Sequence, residues 1–200
     1  MTQEEMEPLR RFCARLTQLV EGGDRPGLPA AVEAELGRLV GARGWLAAAW
    51  AAADPQRYQQ HLLYLDPKDR FSVVSFVWGP GQGTPIHDHG VWGVVAVYDG
   101  AERSQHYVLG DDAVPVPVGE PRLLSPGDAE ILSPEAGDIH RVSNALKDAV
   151  TISIHVYGTN IGAWSRRVFE ADGRIKPFVS GYSDQPAMLG SLDSPVGASA

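Results

Sequence analysis

Apolar residues recur at helical spacing through much of the first 65 residues of the chain. The first such run consists of Leu9, Phe12, Cys13, Leu16 and Val20. A second run follows Pro29, a residue type that suits the first turn of a helix, and consists of Val32, Leu36, Leu39 and Val40. Both runs predict amphipathic helices.

A third apolar piece covers residues 45–53 and stops at Asp54-Pro55. That dipeptide suits the N-cap and the first position of a helix, so a short helix over residues 58–63 is predicted. Together these patterns predict that residues 1–65 form a helical segment packed on the rest of the protein.

The pattern changes at Asp66-Pro67, where short runs of β-branched and aromatic residues begin, separated by Gly and Pro. Many short strands at close spacing predict an antiparallel sandwich or barrel over residues 66–185. Residues 186–200 are rich in Ser, Gly, Pro and Ala, which predicts a loosely ordered tail. The predicted strands cover residues 71–78, 92–98, 104–108, 129–132, 139–143 and 150–157.

Composition narrows the class of protein. A chain of 200 residues with 44% hydrophobic residues suits one globular domain with a small extension. The net charge of -8 argues against a general nucleic-acid binder, and the single Cys13 excludes an intrachain disulfide. The N-terminal residues do not resemble a signal peptide, and residues 45–53 are too short to span a bilayer. We expect a soluble cytoplasmic protein without a membrane partner.

Three histidines are the candidate chemistry. His87 and His89 lie in GQGTPIHDH, and His140 lies in GDIHRVSN. Side chains alternate along a strand, so a His-x-His pair places both rings on one face, and a third His on a neighbouring strand can complete a triangle. Three imidazoles on one side of a metal leave other coordination positions open, as catalysis requires. His61 and His106 lie outside both segments and are predicted not to be ligands.

These segments resemble the two halves of the cupin signature. The matching residues are Gly81, His87, His89 and Gly100, followed by Pro134, Gly137, His140 and Asn144. The gap between the Pro and the Gly of the second half is one residue longer than usual. The resemblance implies a mainly β cupin, that is, a double-stranded β-helix or jelly-roll barrel, with an N-terminal helical segment.

One departure from the cupin pattern bears on the metal. Cupins usually carry a Glu ligand four or five residues after the second His, where this chain has Gly93 and Val94. The site would then offer three neutral imidazoles and no carboxylate. An iron(II) ion held in this way keeps its full charge and favours an anionic substrate ligand, for which a thiolate is suited.

A second motif is SIHVY, residues 153–157. Ser153, His155 and Tyr157 share one face of the predicted strand. If that face points inward, the three groups must hydrogen-bond to one another, which would hold the Tyr hydroxyl near the metal. The alternative is an exposed polar face of an edge strand. A serine hydrolase is not favoured, because no nucleophile elbow is evident.

Together these motifs resemble the thiol dioxygenases of the cysteine dioxygenase family. The resemblance runs from about Tyr58 to Tyr182 and includes HDH, SPEAGDIHRVSN, SIHVYG and KPFVSGYS. It implies a cupin that binds iron(II) and uses O2 to convert a small thiol to a sulfinate. It also implies that His87, His89 and His140 are the iron ligands and that Ser153, His155 and Tyr157 form the outer relay.

The resemblance also bears on the substrate. Cysteine-selective members bind the substrate carboxylate with an Arg that precedes the barrel, where this chain has Gln60. Bacterial members acting on 3-mercaptopropionate carry a Gln there and use an Arg shortly after the SxHxY strand. Arg166 is favoured for that role, with Arg167 as the alternative. We therefore expect 3-mercaptopropionate as substrate, with L-cysteine and mercaptosuccinate as alternatives.

Smaller expectations concern the surroundings of the metal. Animal members carry a Cys that crosslinks to the catalytic Tyr, but Gly93 is near that position here, so no thioether on Tyr157 is expected. Phe76, Val94 and Trp92 are predicted as apolar walls of the substrate site.

Two other classes of function stay open at this point. One is a non-enzymatic metal-cupin that senses a small acid, and the other is a cupin isomerase or carbon dioxygenase using zinc, nickel or iron. The SxHxY segment and the missing Glu favour thiol oxidation over both.

Overall fold

A computed structural model describes residues 2–23, 25–135, 137–190 and 192. Two helices precede the strands: α1 spans Gln3–Val20 and α2 spans Leu28–Gly41. A short 3₁₀ turn follows at Ala48–Trp50. The strands are β1 (Gln59–Leu65), β2 (Ser72–Trp78), β3 (Ile86–His87), β4 (Gly93–Asp99), β5 (Glu102–Leu109), β6 (Pro115–Leu124), β7 (Ala129–Leu132), β8 (His140–Asn144), β9 (Thr151–Tyr157), β10 (Arg166–Phe169) and β11 (Ile175–Phe178).

Both helices predicted from the apolar spacing are confirmed. A capping box starts α1, in which the Thr2 side chain accepts from the Glu5 backbone N–H and the Glu5 carboxylate accepts from that of Thr2. Helix α2 begins after Gly27, whose φ of 88° is the left-handed conformation that glycine adopts readily. The apolar faces of both helices are buried in one hydrophobic cluster with the outer face of the strands.

The helix predicted over residues 58–63 is wrong. These residues form β1, which pairs antiparallel with β2 from Gln59↔Val77 onward. The Asp54 carboxylate accepts from the Gln56 backbone N–H at 2.7 Å, so it closes a local turn and does not cap a helix. Residues 59–65 therefore belong to a sheet, because the free edge of β2 offers them a ladder of hydrogen bonds.

Two antiparallel sheets form the body of the protein. One has five strands in the order β1-β2-β9-β4-β7, and the other has six in the order β11-β10-β3-β8-β5-β6. The fold is the mainly β cupin that the motifs predict. Strand β6 is absent from the sequence prediction because Pro115, Pro117 and Pro121 argue against a strand, yet β6 lies at a sheet edge, where proline is tolerated.

Strand β9 lies in the middle of the five-stranded sheet and is buried along its whole length. Ile152, Ile154 and Val156 belong to the apolar cluster under the helices. The alternate residues face the other way, into the space between the two sheets. Polar side chains on that inner face therefore have to find partners inside the barrel.

The chain after residue 185 is only partly described. Met188 and Leu189 are buried, and their backbone N–H groups donate to Leu62 O at 3.1 Å and Leu63 O at 2.8 Å. The start of the segment predicted to be loosely ordered is thus packed along β1. The rest of the predicted tail, residues 191 and 193–200, lies outside the described residues. In the part that is described, no helix is long and apolar enough to cross a membrane.

Candidate metal centre

The structure brings His87, His89 and His140 together inside the barrel. His87 and His140 are directly opposed partners on adjacent strands β3 and β8. The ring centroids are separated by 4.8 Å (His87–His89), 4.9 Å (His87–His140) and 5.0 Å (His89–His140). One ring nitrogen from each residue lies within 4.8 Å of the others, so a single ion can contact all three.

His89 belongs to this triangle although it does not lie on the strand that the His-x-His spacing predicts. Strand β3 ends at His87, so His89 lies in the turn that follows. The Asp138 carboxylate accepts from the backbone N–H groups of His89 at 3.0 Å and Gly90 at 2.8 Å. Asp138 thus fixes the turn that carries His89. Sequence reasoning missed this role, although Asp138 stands two residues before His140 in the second motif.

The ring nitrogens are oriented for a metal. The Nδ1–H of His87 donates to Pro85 O at 3.1 Å, because a carbonyl oxygen can only accept, which leaves Nε2 unprotonated. Among the described residues, neither ring nitrogen of His89 has a hydrogen-bond partner, although both are buried. Unpaired buried nitrogens are unfavourable in a protein interior, and a metal ion at the triangle would give one of the two a partner.

The three imidazoles are neutral at pH 7. Burial, reinforced by the positive charge of Arg166, lowers the pKa of His87 to about 4. Burial and the neighbouring histidines lower the pKa values of His89 and His140 well below their ordinary value. Metal ligation needs the unprotonated form, and three neutral nitrogen donors suit a divalent transition metal. The residues present therefore fit the ion that the motifs predict.

A carboxylate lies behind His140, outside the triangle. His140 Nδ1 is 3.5 Å from Ser104 Oγ and 3.9 Å from Glu130 Oε2. Ser104 donates to Glu130 at 2.7 Å, and His106 Nε2 lies 3.0 Å from the other carboxylate oxygen. His106 is thus held by Glu130, as part of a polar layer that can orient His140. Sequence reasoning missed Glu130, since nothing in its local pattern marks it as buried.

Ser153, His155 and Tyr157 form a continuous hydrogen-bonded chain on the inner face of β9. Ser153 Oγ lies 2.8 Å from His155 Nε2, and His155 Nδ1 lies 2.8 Å from the Tyr157 hydroxyl. Trp78 Nε1–H donates to Ser153 at 3.0 Å. The alternative of an exposed edge strand is wrong, because β9 lies between β2 and β4 and all three residues are buried.

The relay ends beside the histidine triangle. The Tyr157 ring stacks on His89 with centroids 5.3 Å apart. Burial raises the pKa of Tyr157 and lowers that of His155 well below its ordinary value, so both groups are neutral at pH 7. A neutral phenol can donate a hydrogen bond to a molecule bound beside the histidines.

A small cavity, with about 20 Å³ open to the centre of a water-sized sphere, is lined by His155 and Tyr157 of the relay and by two of the three histidines. Phe76 lines it, stacked on His155 with centroids 4.1 Å apart. Trp92 and Val94, which were also predicted as walls, belong to the apolar cluster under the helices. That part of the prediction is wrong, because Val94 stands on the face of β4 that points away from the cavity. Other lining residues are Tyr58, Gln60, His87, His140, Tyr157 and Arg166.

Arg166 is a buried cation in this cavity. Its side chain is 4% exposed, and its guanidinium lies 4.9 Å from the Phe178 ring centroid. Nη2 donates to Ser180 Oγ at 2.7 Å, while Nε is buried without a hydrogen-bond partner among the described residues. Burial lowers the pKa of Arg166, but guanidinium remains charged at neutral pH.

Arg167 points the other way. Its guanidinium forms an ion pair with Asp88 at 2.6 Å, and its side chain is 58% exposed. Adjacent residues on β10 face opposite sides, so only one of the two arginines can reach the cavity. The register of β10 places Arg166 there.

Gln60 and Arg166 meet at the same hydroxyl group. Gln60 Nε2 donates to Ser180 Oγ at 2.9 Å and to Gly181 O at 3.0 Å. Ser180 therefore links strand β1 to the Arg166 guanidinium. Sequence reasoning did not single out Ser180, although it lies in the segment KPFVSGYS.

Gly93 lies directly against Tyr157. A Cβ atom built on Gly93 would be 3.0 Å from Tyr157 Cδ1. Glycine has no sulfur to react, and Cys13 is buried in helix α1 within the apolar cluster. The expectation of an unmodified Tyr157 stays a prediction that intact-mass measurement can test.

The sequence matches one known protein family. The family model described as cysteine dioxygenase type I matches residues 39–167, which span β1 to β9 and the start of β10. The match covers more than half of the chain and contains every residue of the histidine triangle and the relay.

Solved structures with a similar fold include bacterial cupins. An uncharacterised protein with a double-stranded β-helix domain from Klebsiella pneumoniae is 19% identical, with a TM-score of 0.44 over 56% of this chain and 80% of that chain. A cupin superfamily protein from Desulfitobacterium hafniense is 12% identical, with a TM-score of 0.42 over 55% and 84%. A cupin 2 conserved barrel domain protein from Salinispora arenicola is 20% identical, with a TM-score of 0.41 over 57% and 86%.

Proposed function

The chain belongs to the cysteine dioxygenase type I family, and from this premise we propose that it is an iron(II)-dependent dioxygenase that oxidises 3-mercaptopropionate to its sulfinate. The main support for the proposal is that one cavity contains two groups that each lack a binding partner. The first is the set of neutral imidazoles of His87, His89 and His140, and the second is the buried cation of Arg166. A small molecule with a thiolate at one end and a carboxylate at the other complements both.

His87, His89 and His140 would hold the iron. When bound, iron(II) supplies positions at which a thiolate and O2 are brought next to each other. The three imidazoles add no negative charge, so an anionic sulfur ligand is favoured. Asp138 would keep His89 in position through the turn it holds.

Arg166 would bind the substrate carboxylate. Among the described residues, no carboxylate forms an ion pair with Arg166, and its Nε–H is buried without a partner. A guanidinium matches a carboxylate through two parallel, charge-assisted hydrogen bonds, which fix orientation as well as affinity. Ser180 would hold the guanidinium at the correct angle through its contact with Nη2.

The cavity lining favours 3-mercaptopropionate over the two alternative thiols. L-cysteine adds an ammonium group, and the described lining contains no acidic side chain to pair with it. Mercaptosuccinate adds a second carboxylate, and Arg166 is the one cation in the described lining. L-cysteine and mercaptosuccinate are therefore the second and third candidates.

Tyr157 would donate a hydrogen bond to the substrate in the cavity. His155 and Ser153 hold the phenol in place, and Phe76 packs against the His155 ring to limit water. The relay thus positions a neutral donor beside the reacting groups, where a low dielectric strengthens the hydrogen bond.

Oxygen uptake by the iron-loaded protein tests this function. Protein loaded with iron(II) without air is mixed with oxygenated buffer and 3-mercaptopropionate, L-cysteine, mercaptosuccinate or cysteamine in separate experiments. We expect the fastest uptake with 3-mercaptopropionate and a product that has gained two oxygen atoms by mass spectrometry. Fully loaded protein that binds these thiols without consuming oxygen would contradict the proposal and favour a non-enzymatic sensor.

A further inference from the structure

His89 differs from the other two histidines of the triangle in how its ring is held. The Nδ1–H of His87 donates to Pro85 O at 3.1 Å, and His140 Nδ1 lies 3.5 Å from Ser104 Oγ. Outer hydrogen bonds of this kind usually orient the rings of metal-binding histidines. Among the described residues, neither ring nitrogen of His89 has a hydrogen-bond partner. The orientation of its ring therefore depends on packing and on the main chain that carries it.

The main chain of His89 is held from two sides. On one side, the Asp138 carboxylate accepts from the backbone N–H groups of His89 at 3.0 Å and Gly90 at 2.8 Å. On the other side, the Trp164 indole Nε1–H donates to His89 O at 3.0 Å. A Cβ atom built on Gly90 would be 3.6 Å from the same indole nitrogen, so the indole lies directly against the turn. Side chains from two other parts of the chain thus occupy both the N–H and the C=O of His89.

Trp164 makes this contact from a partly exposed position. Its side chain is 42% exposed, and it belongs to neither of the two apolar clusters of the described chain. Its backbone N–H donates to Asn160 O at 3.1 Å, which fixes the turn that presents the indole. Core packing therefore does not account for a tryptophan at this position, whereas the hydrogen bond to His89 is a specific contact.

Trp164 also lies two residues before Arg166, on the segment that enters β10. The same segment is joined to the HDH motif at its next residue, Arg167. The Arg167 backbone N–H donates to Asp88 Oδ1 at 2.8 Å, and the Asp88 backbone N–H donates to Arg167 O at 3.1 Å. The segment that carries the candidate carboxylate-binding residue is therefore attached to the segment that carries two candidate metal ligands.

We propose that Trp164 is a positioning residue of the metal centre, whose indole N–H holds the His89 peptide so that the His89 ring faces the triangle before a metal binds. The inference rests on the metal site of the proposed function. A ligand held in its bound conformation loses less conformational freedom on binding, which strengthens binding. Without the indole N–H, the His89 peptide would be held from one side only, and metal affinity should fall.

Zinc affinity of the metal-free protein tests this role without any turnover. Zinc(II) is a suitable probe because it binds histidine nitrogens and has no redox chemistry of its own. Competition with a chromophoric chelator gives Kd for wild type and for Trp164→Phe, which removes the N–H and keeps an aromatic ring. We expect Kd to rise about 3- to 10-fold in the variant, the size of one lost hydrogen bond. An unchanged Kd would overturn the proposal.

Trp50→Phe is the matched control. The Trp50 indole also donates to a backbone carbonyl, Pro186 O at 3.1 Å, but Trp50 lies on the 3₁₀ turn and packs against the apolar cluster under the helices. We expect this variant to bind zinc with a Kd within about twofold of the wild-type value. A rise of the same size in both variants would show that the effect is not specific to His89 and would overturn the proposal.

A second change at the same position separates the hydrogen bond from the bulk of the ring. Benzothienylalanine in place of Trp164 keeps two fused rings and has sulfur where the indole has its N–H, so it cannot donate. We expect the same rise in Kd as in Trp164→Phe. Wild-type affinity in this protein would assign the effect to ring size and overturn the proposal.

Indole NMR signals of the wild-type protein report on the contact even if a variant fails to fold. The chain has five tryptophans, and sequential assignment of uniformly ¹⁵N- and ¹³C-labelled protein identifies the indole N–H signals of Trp164 and Trp50. We expect the Trp164 signal to shift on addition of zinc, because the metal fixes the His89 peptide that accepts its hydrogen bond. The Trp50 signal should stay in place. A Trp164 signal that does not respond to saturating zinc would overturn the proposal.

Oxygen uptake separates this inference from the proposed function. If both are correct, Trp164→Phe needs about 3- to 10-fold more iron(II) for half-maximal uptake with 3-mercaptopropionate. At saturating iron its kcat should be within about twofold of wild type, because coordination then holds His89. A loss of kcat that persists at saturating iron, with metal affinity unchanged, would overturn the positioning role. Protein that shows the expected zinc affinities and indole shift but consumes no oxygen with any thiol would instead overturn the proposed function and leave the role of Trp164 intact.

Discussion

The two faces of strand β9 are both buried, yet one face is apolar and the other is polar. Ile152, Ile154 and Val156 pack under the helices, where apolar contact alone stabilises them. Ser153, His155 and Tyr157 face the barrel interior, where each polar atom needs a partner to offset its desolvation. The comparison teaches that one side of this strand maintains the fold and the other holds chemistry, so substitutions on the two sides should separate stability from activity.

Removal of one metal ligand should have the largest effect on activity. We expect His89→Ala to lose iron binding and oxygen uptake completely, while the metal-free protein folds as before, because neither ring nitrogen of His89 has a partner to lose among the described residues. Iron content by plasma spectrometry, oxygen uptake and circular dichroism check these expectations. His61→Gln, a buried histidine on β1 outside the triangle, is the control and should retain iron. Full iron content and activity in His89→Ala would exclude the assigned site.

A substitution on the opposite face of β9 should have the converse effect. Ile154 is fully buried in the apolar cluster, so Ile154→Ala should lower the free energy of unfolding by about 3 kcal/mol through lost transfer energy and a residual cavity. Iron content per folded molecule should stay at the wild-type level. Urea unfolding of the metal-free proteins measures the difference, and a loss below about 1 kcal/mol would show that this face is less tightly packed than the structure indicates.

Glu102 fits neither group of buried residues, because it is a buried acid whose ionisation opposes folding. Its folded pKa of about 7 lies above its ordinary value of 4.5, so its stabilising contribution is complete below about pH 4.5 and is lost as the pH rises through 7. The free energy of unfolding of wild type, relative to Glu102→Gln, should therefore fall by up to about 3 kcal/mol over this interval. Urea unfolding at a series of pH values gives the difference, and parallel pH profiles for the two proteins would contradict the assignment.

The smallest expected effect is a change in KM, and it should distinguish Arg166 from its neighbour Arg167. Arg166→Ala should raise KM for 3-mercaptopropionate by about 10- to 100-fold, the size of a lost charge-assisted hydrogen-bond pair, and affect the carboxylate-free thiol cysteamine much less. Arg167→Ala is the matched control and should change neither value appreciably, since the Arg167 side chain is exposed, pairs with Asp88 and does not line the cavity. Equal effects of Arg166→Ala on both thiols would remove Arg166 from carboxylate binding.

Much of the site is predictable from local patterns. The period-two spacing of Ser153, His155 and Tyr157 places them on one face of any strand, and the two cupin segments indicate that three histidines converge. The strand β1 was not predictable in the same way, because Asp54-Pro55 is compatible with a helix start and only the free edge of β2 decides otherwise. Local signals compete at such positions, and long-range hydrogen bonds determine the outcome.

The sequence by itself determined the relay, because its three residues share one face of a single strand, and the two cupin segments indicated the class and the three histidines. The tertiary structure alone decided which arginine faces the cavity, since that depends on the register of β10 against β3 and β11. It also decided that Glu102 and Glu130 are buried, Glu130 close to the candidate ligand His140, whereas in the sequence each looks like an ordinary charged residue. Burial is a property of the assembled sheets, and it is burial that turns an ordinary carboxylate into a group that titrates near neutral pH.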